Sequence, residues 1–194
     1  MSKSDAASSK KEKNKTVRWV ISIFFITILI SGLISFASDA IMASSSMLVA
    51  FIILLAIILI GIIFDIVGVA VTSADEKPFH SMAARKVAGA QEAIRLLRKA
   101  ERVSSICNDV VGDICGVVSG SASATIAAQV LSSFEFSWPQ IVTLLMSALV
   151  AGLTVGGKAI GKTFAMSKCT LIVHTVGKIL WAFHNIPQMF KKRK

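Results

Sequence analysis

Three aspartates stand in stretches of this chain that otherwise carry no charge. Asp65 interrupts an apolar run from Ala40 to Ala74. Asp109 and Asp113 lie four residues apart at the start of another uncharged stretch, Ile114 to Phe134, so a helix places both carboxylates on one face. Ser104, Ser105 and Asn108 stand beside them and add neutral oxygens. Carboxylate, amide and hydroxyl oxygens without soft ligands suit a hard cation such as magnesium, calcium or sodium. An ionised pair at Asp109 and Asp113 requires compensation by a cation or by a basic side chain. Arg102, Lys158 and Lys162 are the basic candidates, so the same acids admit either a cation site or interfacial ion pairs.

Other chemistry finds less support. Cys107, Cys115 and Cys169 form no CxxC and no Cys/His cluster, which argues against a zinc module, and three thiols cannot all pair within one chain. His80, His174 and His184 show no ligand spacing, and no Ser/His/Asp or Cys/His arrangement is visible, so no enzymatic activity is expected. Gly156 to Thr163 satisfies GxxxxGK[ST], and Ile62 to Asp65 imitates an apolar strand ending in Asp. A phosphate cradle needs a strand, a loop and a helix within an α/β domain. Here the preceding uncharged residues, Phe136 to Gly157, have the length of a membrane span, and too few polar residues remain for a parallel sheet. No nucleotide is expected.

The elements that must hold these residues follow from the composition. Of 194 residues, 54% are hydrophobic and 16% charged, against roughly 25% charged in a soluble domain. The apolar residues lie in four uncharged stretches, Trp19 to Ser38, Ala40 to Phe64, Ile114 to Phe134 and Phe136 to Gly157, each long enough to cross a hydrocarbon layer of ~30 Å. The expected fold is therefore an all-α integral membrane protein of about four transmembrane helices, with spans near 19–38, 40–74, 103–134 and 136–160. Small residues recur at every fourth position in Gly112, Gly116, Gly120, Ala124 and Ala128, and Gly152, Gly156, Gly157 and Gly161 follow in the fourth span. That spacing lets helix backbones approach closely in lipid.

The formal charge of +10 is distributed unevenly. Residues 1–18 hold six Lys/Arg, residues 75–102 seven, and residues 158–194 eight, while the connections Asp39 to Ser46 and Ser132 to Pro139 hold none. With four spans the three basic segments fall on one side, and the positive-inside rule makes that side cytoplasmic. The expected location is the cell membrane, multi-pass, with both termini cytoplasmic. The charge thus reads as topology and not as a nucleic-acid footprint. Cleavage of the first span as a signal peptide is a weaker alternative, because its apolar stretch exceeds the usual 7–15 residues.

Residues 78–102 read as one amphipathic helix, with Phe79, Met82, Ala83, Val87, Ala90, Ile94 and Leu97 at helical spacing and Arg85, Lys86, Arg95, Arg98 and Lys99 on other faces. A basic helix of this kind lies along the membrane surface against anionic headgroups. Residues 1–18 form a basic N-terminal segment and 19–163 the transmembrane domain. Residues 164–194 form a C-terminal amphipathic segment, interrupted by Lys178 and Pro187, with a basic tail from Lys191 to Lys194.

Three places resemble the transmembrane domain of the CNNM/CorC (cyclin-M, CorB-like) family of magnesium-transport proteins. Ile62 to Ser73, IIFDIVGVAVTS, is similar to that family's FFSGSETALTSL-like stretch. Glu101 to Ile114, ERVSSICNDVVGDI, resembles its ERLLSTILIGNNLVNI-like segment, and Gly157 to Ala165, GKAIGKTFA, its GEITPKSLA signature. The resemblance implies a homodimer of short-helix bundles with a cation site open to the cytoplasm, surrounded by juxtamembrane helices and followed by CBS domains. The chain departs from the pattern at the family's serine (here Asp65), its glutamate (Gly68), its two asparagines (Asp109 and Asp113) and its signature glutamate (Lys158), and the CBS domains have no counterpart in these residues. The resulting expectation is a membrane protein that binds a divalent cation such as Mg2+ through Asp65, Asp109 and Asp113, with Ser104, Ser105 and Asn108 as neutral ligands and transport of that ion as the further step the resemblance implies. The alternative is a non-transporting scaffold or accessory subunit that associates through its glycine-rich helix faces.

Overall fold

The computed structural model of the protein describes residues 3–43, 45–133 and 138–191, with side chains described over 17–42, 45–133 and 138–185. The described chain is almost wholly helical and contains no strand. Along the four long apolar stretches, lipid leaves only an internally hydrogen-bonded backbone. Helix α1 spans Lys3–Ala43, α2 Met47–Ser73, α3 Lys77–Ala84, α4 Ala90–Leu97 and α5 Ala100–Ser105. A π-helical stretch, Ile106–Gly112, continues directly into α6, Asp113–Ser133. Helices α7, Pro139–Ser167, and α8, Cys169–Lys191, complete the chain.

Four elements are long and apolar enough to cross a membrane: Val17–Met42, Met47–Ser73, Ala100–Ser133 and Pro139–Ser167. They coincide with the four expected spans, with the second starting later than 40 and the third starting earlier than 103. Their outward residues, among them Phe24, Phe25, Leu48, Leu144 and Val155, are exposed and apolar, as a lipid-facing surface requires. Of the two expected connections, Ser44 and residues 134–137 lie outside the described residues, as do Lys192 to Lys194 of the basic tail.

The expected single amphipathic helix over 78–102 is corrected to α3, α4 and α5. Two residues in the left-handed region break it: Lys86 at φ 56° and Gly89 at φ 83°. After α3 the chain closes with Lys86 N–H donating to Ala83 O and Val87 N–H to Met82 O, both 3.0 Å, which satisfies carbonyls at the helix end. The C-terminal segment departs the other way, because Lys178 and Pro187 fall inside one continuous helix, α8. Glycine lets α4 and α8 meet backbone to backbone: a Cβ on Gly89 would stand 2.5 Å from Lys178 N, and one on Gly177 2.5 Å from Gly89 O.

Burial falls into two cores, one at each end of the bundle. Met42, Ala50, Leu54, Ile58, Ala122, Ile126 and Val150 join α1, α2, α6 and α7 at the end bearing the α1–α2 connection. Ala70, Val71, Phe79, Ala93, Leu97, Ala165 and Val173 join α2, α3, α4, α7 and α8 at the other. Helix α1 is peripheral and packs chiefly on α6, where Gln129 Nε2 donates to Met42 O at 2.9 Å. An apolar groove of about 270 Å³ between α2 and α7, lined by residues such as Leu48, Ile52, Met146 and Leu149, offers no polar group that could orient a hydrophilic ligand.

Candidate functional site

Between the two cores, glycines bring three elements together. On α2, Gly61 packs against Cys115, whose Cβ would lie 2.9 Å from a Cβ placed on the glycine. Gly68 packs so closely on the Asn108 amide that a side chain there would collide with Oδ1. These two contacts bracket Asp65 against the segment from Asn108 to Cys115. On α7, Gly157 meets Ile62 and Gly161 meets Ile66, which sets α7 across the same turn of α2.

Asp65 is only 4% exposed, and its Oδ2 has no hydrogen-bond partner. Asn108 lies on the π-helical stretch with its Nδ2 donating to Ser104 Oγ at 3.2 Å. That bond fixes the amide with Oδ1 turned towards α2, where it too is buried without a partner. Two acceptor oxygens from facing elements are thus left unsatisfied in an apolar interior, a costly arrangement unless a cation or donor meets them. π-helical turns of this kind often mark functional sites.

The remaining expected ligands point elsewhere. Asp109 and Asp113 share one face, as their spacing requires, but both are exposed, and Asp109 accepts a hydrogen bond from Ser105 Oγ at 2.7 Å. Within one chain the six candidate ligands therefore divide into an inner group, Asp65, Asn108 and Ser104, and an outer group, Asp109, Asp113 and Ser105. Among the described residues no three His, Cys, Asp or Glu side chains gather closely enough to hold a metal ion. The anticipated basic partners do not engage the acids either. Among the described residues His80 meets Glu76 at 3.3 Å and Arg95 pairs with Glu92 at 2.8 Å, and no Lys or Arg lies within 4.0 Å of Asp65, Asp109 or Asp113.

The glycine ladders also divide. Gly112, Gly157 and Gly161 make close contacts, whereas a Cβ on Gly116, Gly120, Gly152 or Gly156 would meet nothing within 4 Å. The string from Gly156 to Thr163 lies inside continuous α7, so its amides serve helix bonds and do not line a loop.

Of the three basic candidates, Lys158 extends from α7 to place Nζ 3.3 Å from the Cβ position of Gly112. One feature escaped the sequence reading. Ser38, Asp39 and Gln129 leave Ser38 Oγ, Asp39 Oδ1 and Gln129 Oε1 buried without partners near the α1–α6 contact. Residues so far apart in sequence give no spacing signal.

No protein-family description, curated protein or solved structure matches this chain. The CNNM/CorC resemblance therefore rests on the quoted residues alone.

Proposed function

We propose that the protein is a membrane protein that binds a hard cation at the inner group of Asp65, Asn108 and Ser104, with Mg2+ the ion implied by its resemblance to the CNNM/CorC family. The observation that carries this reading is the pair of buried, unpartnered oxygens, Asp65 Oδ2 and Asn108 Oδ1, on facing elements beside a π-helical turn. Asp65 supplies the charge, and the two neutral side chains complete part of an oxygen shell. The basic helices α3 to α5 and α8 are assigned to the cytoplasmic face against anionic headgroups, the side on which the family resemblance places the cation site. One interior carboxylate suits reversible binding better than three would, because a site must also release its ion for transport.

Thermal stability of the purified protein, scanned over magnesium, calcium, manganese and sodium, tests the reading. Binding to the folded state stabilises by RT ln(1 + [L]/Kd), about 2.7 kcal/mol at a hundredfold excess over Kd. Asp65→Asn is expected to abolish the response. Replacing Asp109 and Asp113 with Asn is expected to leave it nearly unchanged, because both face outward. A response that survives Asp65→Asn would remove the inner site.

One observation favours association through the glycine-rich face as a second reading. Gly120, Ala124 and Ala128 are exposed, and Gly116 beside them has open space around it, so this stripe of α6 is not filled from within the chain. A homodimer or a scaffold partner would use it. Gly116→Leu should then weaken self-association in detergent without unfolding the single chain. Unchanged association would count against that interface.

A further inference from the structure

We propose that the Lys158 ammonium is a tethered counter-cation for this site, which a free cation must displace. The inference rests on the reading of Asp65 as a cation ligand. Asp65 from α2 and Lys158 from α7 approach the same short segment. The contacts Gly61 to Cys115 and Gly68 to Asn108 hold Asp65 opposite residues 108–115, and the Lys158 Nζ lies against Gly112, in the middle of that segment. The contacts Gly157 to Ile62 and Gly161 to Ile66 flank Lys158 on α7 and flank Asp65 on α2, so both charges sit at one level of the bundle.

The charges match in number. At this level of the bundle the described residues hold one buried carboxylate, Asp65, and Lys158 is a half-buried cation with its Nζ against Gly112, whereas Lys162 and Arg102 are exposed. The ammonium rests against Gly112, where a Cβ would stand 3.3 Å from Nζ. The ammonium is not locked to the carboxylate, since no ion pair within 4.0 Å joins them. A lysine stem has four rotatable carbons and a point charge at its end, so it can move towards the carboxylate or withdraw. A metal ion entering between Asp65 and Asn108 repels the ammonium, and the ammonium in turn lowers the site's apparent affinity. Ion binding and Lys158 withdrawal are therefore one exchange, in which a monovalent ion leaves the interior charge unchanged and a divalent ion raises it by one unit.

The test compares cation-dependent thermal stabilisation in the wild type, Lys158→Met, Lys158→Gln, Lys158→Arg and Lys162→Met, using magnesium and sodium as separate probes. Loss of the ammonium in Lys158→Met or Lys158→Gln should lower the cation midpoint at least about tenfold. Lys158→Arg keeps the charge and should stay near the wild-type midpoint, as should Lys162→Met, which removes an exposed charge from the same helix. The two neutral variants at 158 differ in polarity, so misfolding of one leaves the comparison to the other. An unchanged or raised midpoint in the neutral variants, with the Asp65→Asn response lost, overturns the exchange while leaving the cation site standing. Absence of any response in every protein overturns both. A response that appears only when Lys158 is neutral supports the exchange most directly, because the wild-type site would then be held by its own ammonium.

Discussion

At the scale of single residues, the site depends on how closely Gly68 lets α2 approach Asn108. Gly68→Ala places a methyl group where Asn108 Oδ1 now lies, so either the amide rotates away from Asp65 or the helices part. Overpacking of this kind typically costs about 1–3 kcal/mol. The expected outcome is a lower midpoint in chemical denaturation together with a weaker cation response, whereas Gly120→Ala, which enters open space, should change neither. Asp65 stood out in the sequence as a lone charge in an uncharged run, which admitted either a cation ligand or an ion pair; that it lies buried beside Asn108 was not legible. The pairing of Asp109 with Asp113 was legible, since it follows from helical spacing. Which side of that helix faces inward was not. Asn108 occupies the interior and its acidic neighbour the exterior, a choice set by packing against Gly68 on a helix some 40 residues earlier.

The elements show where periodicity carries an argument and where it fails. Phe79, Ala90, Ala93 and Leu97 are buried as an apolar stripe over 78–102 implies. The same stripe does not reveal a break, because apolar spacing continues through a turn when all of its pieces pack on one surface. The signal that mattered was Gly89, whose positive φ and backbone contact with α8 both exclude a side chain. Gly89→Ala should therefore cost more than an ordinary exposed substitution. Strain at the left-handed position alone is about 1–3 kcal/mol, and displacement of Lys178 adds to it. Limited proteolysis, read against Ala88→Ser as a control, should show earlier cleavage between α3 and α4 in the Gly89 variant. Equal cleavage would mean that the α4–α8 crossing tolerates a gap.

For the molecule as a whole, the four long helices were the most legible feature, since uncharged runs of membrane length have few other uses. We propose the orientation from where the lysines and arginines lie. Ser45 and Ser132, each changed to Cys on a background without the native cysteines, should react in whole cells with a membrane-impermeant thiol reagent, and Ser4→Cys should not. The opposite pattern would invert the protein in the membrane. The convergence of α2, α6 and α7 on one level was not legible, because each glycine contact joins residues distant in sequence.

The wide turn from Ile106 to Gly112 works like a change of thread partway along a screw. Its i→i+5 bonding rotates the chain less per residue than the α-helices above and below it. Successive residues of a helix point about 100° apart, so Asn108 turns inward while Asp109 is exposed, and the offset gained in the wide turn sets which later residues, Cys115 and Ile126 among them, meet α2 and the core. The inward amide and the outward carboxylate are therefore apportioned by a count of residues. A uniform thread, reached by losing a single residue from the stretch, would re-index the inner oxygens without altering any other side chain, so the spacing of this segment is as much a determinant of the site as its composition.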